Sequence, residues 1–155
     1  MAKLISTKLK PWLVNLRLQS AAHDGAVAEI AELLRGDAAL TDFDGFSAAL
    51  RAREELESTC LGNGIAFPHA RTDALKGMVL AAGCSVAGVL NARAGNQTEH
   101  LIFVIGTPQR MVTEYLAAVG ALARLLKEEA LRNKLLSAKT GEEFVFYLAE
   151  AEGKL

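Results

Sequence analysis

The sequence predicts a layered α/β domain built on a mixed β-sheet with helices packed around it. Two amphipathic segments come first, over residues 24–36 and 41–58. Short apolar runs rich in β-branched and aromatic residues fill the stretch from Ile65 to Ile105, and helical periodicity then returns to the C-terminus. Helices and strands do not alternate strictly, so nothing demands an all-parallel sheet.

In order, DGAVAEIAELLRG puts Val27, Ile30, Ala31, Leu33 and Leu34 at helical spacing, with Asp24 as N-cap and Gly36 as the stop. TDFDGFSAALRAREELES opens on capping residues and predicts a second helix burying Phe46, Ala49, Leu50 and Leu56. The runs IAFPHA, MVLAAGCSVAGVL and HLIFVIG, split by Gly, Asn and Asp, read as buried strands. After GTPQR, the residues Tyr115, Leu116, Val119, Leu122, Ala123 and Leu126 form one stripe of a helix facing the core, followed by a helical turn over Leu131 to Leu136. Thr140 and Glu143 stand at capping-box spacing before a last helix carrying Phe144, Val145, Tyr147 and Leu148.

Composition bounds the function. The chain has 155 residues, 51% of them hydrophobic, and no linker or low-complexity tract, so residues 1–155 are expected to form one domain. Seventeen Lys plus Arg against eighteen Asp plus Glu leave a net charge of −1, which excludes a global field for nucleic acid or an anionic membrane. Any anion site must be local. Cys60 and Cys84 are too few for a disulfide framework and have no zinc-like spacing; they read as small core or loop residues in a reducing, cytoplasmic setting. The N-terminus lacks a signal-peptide core, and no run approaches the roughly 20 apolar residues needed to cross a bilayer.

The chemistry concentrates in STCLGNGIAFPHAR, residues 58 to 71. LGNGIAFP matches a dinucleotide fingerprint only in part, because Phe67 fills the third small position and a strand follows; no Walker loop is present. Gly62 and Gly64 allow a tight turn at positive φ, which is either a plain turn or a concavity of backbone N–H groups suited to an anion. Pro68 lacks a ladder donor and places His69 at a strand end or sheet edge, where an imidazole can be a general base, a metal ligand or a nucleophile. Arg53 and Arg71 carry the planar fork that matches phosphate oxygens, and Ser58, Thr59 and Asn63 add short polar side chains; the set reads either as a phosphate pocket around a histidine nucleophile or, for the arginines, as a solvated helix end.

ESTCLGNGIAFPHAR resembles the phosphorylation-site segment of the enzyme IIA domain of the fructose/mannitol class of the bacterial phosphotransferase system, including its nitrogen-regulatory branch. Arg53, Glu54, Ser58, Thr59, Gly62, Gly64, Ala66, Pro68 and His69 occupy that family's places, and the match continues through the C-terminal helices. The resemblance implies a three-layer α/β/α sandwich and a phosphoryl carrier. His69 would accept the group from an HPr-type phosphocarrier protein and pass it to an enzyme IIB domain, or the phosphorylated form would be read by a regulated transporter or kinase. Arg53 would hold the phosphoryl oxygens, with Thr59, Asn63, Arg71 and Tyr115 as further phosphate-binding candidates. No metal or organic cofactor is implied.

One departure stands out: where the family has a second histidine near the start of the helix after the last core strand, this chain has Tyr115. A phenol can donate a hydrogen bond to phosphate but cannot be a cationic partner. The alternative is therefore a binding or signalling module that keeps the pocket without phosphoryl turnover. His100 and His23 read as a strand-opening and a helix-start residue without a role in the site. A metal-dependent or hydrolytic enzyme centred on His69 lacks further ligands and a Ser/His/Asp set. Because no IIB or membrane segment accompanies the domain, the expected role leans toward regulation.

Overall fold

Two long strands organise the fold, as seen in a computed structural model that describes residues 4–155. β5 (Val79–Asn91) and β6 (Gln97–Thr107) pair antiparallel from Val79 opposite Gly106 to Asn91 opposite Gln97, with an irregularity between Cys84 and Val89. Their connection turns through Gly95 and Asn96, both in the left-handed region. β1 (Val14–Asn15) lies parallel to β5. On the other side β3 (Ile65–Ala66) and β4 (His69–Arg71) both run parallel to β6, and β2 (Cys60–Gly62) pairs antiparallel with β3. The sheet is mixed, as the sequence predicts.

The run IAFPHA is two strands rather than one. Pro68 has no N–H for the ladder, and the chain lifts off β6 at Phe67, whose N–H donates to Thr59 O at 3.1 Å. Pairing resumes when Ile105 N donates to Pro68 O at 3.0 Å, placing His69 opposite Ile105. Among the described residues no strand pairs with the far side of β4, so His69 sits on an edge.

Helices cover both faces. α2 (His23–Glu32) and α3 (Phe43–Leu56) pack on one. Gly106 permits that approach, since a Cβ there would lie 2.6 Å from Phe46 Cε1 and 2.7 Å from Leu75 Cδ1. α1 (Leu4–Lys8), α4 (Val112–Leu125), α5 (Glu129–Ser137) and α6 (Gly141–Glu152) form the other layer, where Phe103 meets Phe144 with ring centroids 6.0 Å apart. The three-layer sandwich implied by the family resemblance is the observed architecture.

Several local expectations need correction. Asp24 does not cap α2: the N-cap is Ala22, and Asp24 sits inside the first turn, paired with Arg93 at 2.8 Å. Leu56 is 83% exposed and Leu116 is 60% exposed, so neither joins the core. Both lie beside the site described below. The expected capping box holds with a one-residue offset: Thr140 Oγ1 accepts from Glu143 N at 3.0 Å, and Glu143 Oε1 accepts from Lys139 N–H, before the cap, at 2.9 Å. Thr140→Ala should therefore cost about 1 kcal/mol in a urea titration, with the m-value unchanged.

Candidate functional site

His69 is fixed by its own chain. Its Nδ1 lies 2.9 Å from Phe67 O. A carbonyl can only accept, so Nδ1 carries the hydrogen and Nε2 presents its lone pair. Pro68 restrains the intervening backbone. Burial is the largest influence on this imidazole and pulls its pKa below 6.5. Arg53 and Arg71 push the same way, against the opposing pull of the Phe67 carbonyl and Glu54. Near neutral pH His69 is thus an uncharged imidazole with one free nucleophilic nitrogen.

That nitrogen belongs to an open cleft of about 740 Å³ between the two helical layers. α3 contributes Arg53 and Leu56, β4 contributes His69 and Arg71, and the segment into α4 contributes Gln109, Val112, Tyr115 and Leu116. The Tyr115 ring lies against His69, with centroids 5.0 Å apart and planes inclined at 43°. Arg53 Nη1 donates to Glu57 O at 2.8 Å, which steadies the guanidinium at the helix end. The arrangement is a neutral nucleophile beside two guanidinium groups, able to neutralise a phosphoryl group placed on Nε2.

Of the residues singled out in the sequence, the structure brings together His69, Arg53, Arg71 and Tyr115. Thr59 and Asn63 do not line the cleft. Thr59 is buried and its hydroxyl donates to Glu54 Oε1 at 2.5 Å. Gly62, Asn63 and Gly64 run consecutively at positive φ, forming the turn between β2 and β3. This turn packs on His100, and Gly64 O accepts from His100 N and Leu101 N at 2.7 and 2.9 Å. Ile65 pairs with Leu101 while His69 pairs with Ile105, so the glycine turn lies about 13 Å from His69 along the sheet. Of the two readings open for it, the plain turn is the one that fits. His100 donates from Nδ1 to Ser85 O at 2.8 Å, away from the site.

His23 is the residue that sequence reasoning missed. It is 3% exposed, with Nδ1 2.5 Å from Glu99 Oε1 and Nε2 3.1 Å from Glu54 Oε2. Burial alone would lower its pKa, but hydrogen bonds and charge from the two carboxylates outweigh it and raise the value to about 9. No motif marks it, because its partners stand 31 and 76 positions away. Among the described residues no group of three or more His, Cys, Asp or Glu side chains is arranged to hold a metal ion, and no helix is long and apolar enough to cross a membrane.

The fold and site define an α/β sandwich that presents one nucleophilic histidine at a sheet edge, between arginine and tyrosine. Residues 8–151 match the family described as "Phosphoenolpyruvate-dependent sugar phosphotransferase system, EIIA 2", and the chain belongs to it. Among its relatives, the fructose-specific EIIA component of Haloferax volcanii is 32% identical over 94% of this chain and 95% of that protein. A nitrogen regulatory protein of Pseudomonas aeruginosa is 32% identical over 86% of this chain and 87% of that one. The fructose-specific EIIABC component of Bacillus subtilis is 29% identical over 91% of this chain, which spans 22% of that longer protein. The crystal structure of nitrogen regulatory protein IIA-Ntr from Neisseria meningitidis superposes with a TM-score of 0.83, at 26% identity over 94% of this chain and 99% of that one. IIA mannitol from Escherichia coli shares the fold, with a TM-score of 0.78 at 21% identity over 91% of this chain and 99% of that one.

Proposed function

We propose that this protein is a phosphoryl carrier that is itself modified, accepting a phosphoryl group on His69 Nε2 from an HPr-type phosphocarrier protein. It passes the group to an enzyme IIB domain, or its phosphorylated form acts as a regulatory signal to a transporter or kinase. The observation that carries this reading is the Nδ1–H bond to Phe67 O, which leaves Nε2 as the sole nucleophilic nitrogen, in a cleft with Arg53 and Arg71. The Nε2 lone pair attacks phosphorus and the N–P bond to the donor imidazole breaks, its electron pair returning to the donor nitrogen. The hydrogen stays on Nδ1 throughout, donated to the Phe67 carbonyl. Such a transfer is mainly positioning and charge neutralisation, for which Arg53 and Arg71 stand beside His69 in the cleft.

The rim favours a protein partner. Leu56, Val112 and Leu116 are 83%, 40% and 60% exposed around the histidine, an apolar surround that a docking protein would cover and so exclude water from the labile N–P bond. A solution structure pairs Escherichia coli enzyme IIA mannitol with phosphorylated enzyme IIB mannitol, which supports a IIB-type acceptor by analogy. Tyr115 supplies a hydrogen-bond donor where a second imidazole is expected and holds His69 by ring contact.

The test is intact-mass measurement after incubation with phosphoenolpyruvate, enzyme I and an HPr-type donor, beside His69→Ala. One acid-labile phosphoryl adduct on the wild type and none on the variant is the expected result. No adduct with several such donors would reject the carrier and favour a binding module that has lost turnover with the second histidine.

A further inference from the structure

His23, Glu54 and Glu99 form a buried charged group that the phosphoryl chemistry does not touch. Both imidazole nitrogens face carboxylate oxygens, which only accept, so both carry hydrogens and His23 is a cation between two anions. The remaining oxygens are satisfied: Asn91 Nδ2 donates to Glu99 Oε2 at 2.8 Å, and Thr59 Oγ1 donates to Glu54 Oε1 at 2.5 Å. The group joins the start of α2, the last turn of α3, the ends of the β5–β6 hairpin and the segment after α3. Buried ion groups of this kind add little net stability over apolar packing, and where they have a use it is in fixing a geometry.

The geometry fixed here is that of Arg53. Arg53 and Glu54 are consecutive on α3, so their side chains leave the helix about 100° apart. One enters the cleft with His69 and the other enters the buried group. Residues 57–59 are pinned from both sides: Arg53 Nη1 donates to Glu57 O on the cleft side, and Thr59 donates to Glu54 on the buried side. A terminal helical turn frays unless something holds it. We infer that His23, with Glu54, Glu99 and Thr59, is a positioning device that sets the azimuth of the last turn of α3 and thereby aims the Arg53 guanidinium at His69. His23 is a positioning residue, acting through Arg53. The inference rests on the phosphoryl-acceptor reading of His69.

The test combines the rate of phosphoryl acceptance with the pKa of His69 followed by NMR titration. Thr59→Val changes no charge and keeps the side-chain volume, and His23→Gln removes the cation. Both variants should accept phosphoryl about tenfold more slowly, the order expected when a binding side chain is displaced by a fraction of an ångström. Thr59→Val should also raise the His69 pKa in the direction given by Arg53→Ala, because a displaced guanidinium no longer opposes protonation. In an Arg53→Ala background, Thr59→Val should change neither quantity. Wild-type rates and an unmoved His69 pKa in Thr59→Val, with only a lower melting temperature, would overturn the inference, as would an undiminished effect in the Arg53→Ala background. If the wild type accepts no phosphoryl group but the His69 pKa still responds through Arg53, the acceptor reading falls and the positioning role stands.

Discussion

Arg53→Ala is expected to slow phosphoryl acceptance by His69 about 10²- to 10³-fold, while changing the unfolding free energy by less than about 0.5 kcal/mol. The two effects separate because the Arg53 side chain does little for the fold: it is half-buried at a helix end and, among the described residues, makes one hydrogen bond, to Glu57 O. Its expected work is done when three phosphoryl oxygens arrive beside it in a site shielded by a docked partner, where a preformed donor is worth far more than in water. Arg53→Lys keeps the charge and loses the fork, so it should recover part of the rate only. The same substitutions also act before any phosphoryl group arrives. Arg53 holds the His69 pKa down, and Arg53→Ala should raise it. Measured initial rates over a pH series would show both effects. Rates equal to wild type across that series would remove Arg53 from the site.

What the sequence made legible was local. Apolar periodicity located α2, α3 and α4, the Thr140 cap marked α6, and the β-branched runs marked β5 and β6, because each signal is written in neighbouring residues. Pro68 pointed correctly to an edge for the same reason. The failures are those of distance and exposure. Leu56 and Leu116 carry the helical period of core residues, yet both are exposed and line the open cleft beside His69. Thr59 and Asn63 were grouped with His69 because they are near in sequence. A strand advances about 3.3 Å per residue, so the ladder positions from Leu101 to Ile105 separate the glycine turn from His69 by about 13 Å, while Thr59 turns inward to Glu54. His23 was illegible in the opposite sense, since its partners come from two other elements and neither spacing nor composition announces them.

The buried group has a second consequence, for stability against pH. Folding raises the His23 pKa from 6.5 to about 9, so the folded protein keeps a proton that the unfolded chain gives up between those values. The stabilisation is complete below pH 6.5 and disappears as pH rises through about 9. A shift of that size corresponds to about 3 kcal/mol, an order-of-magnitude figure for a side chain only 3% exposed. Urea titrations across this range should show the loss, and at still higher pH the fall should continue, because burial pushes the Cys84 thiol up to about 12 and favours its release as thiolate in the unfolded chain. His23→Leu leaves Glu54 and Glu99 buried without their cation and should cost about 3–5 kcal/mol near neutrality. That penalty should ease in acid, where the stranded carboxylates can take up protons. Replacing His23, Glu54 and Glu99 together by leucine should restore much of the stability and flatten its dependence between pH 6.5 and about 9. A wild-type protein equally stable at both ends of that interval would show that His23 is not held as a cation, and the charge balance of the buried group would have to be redrawn with one carboxylate protonated.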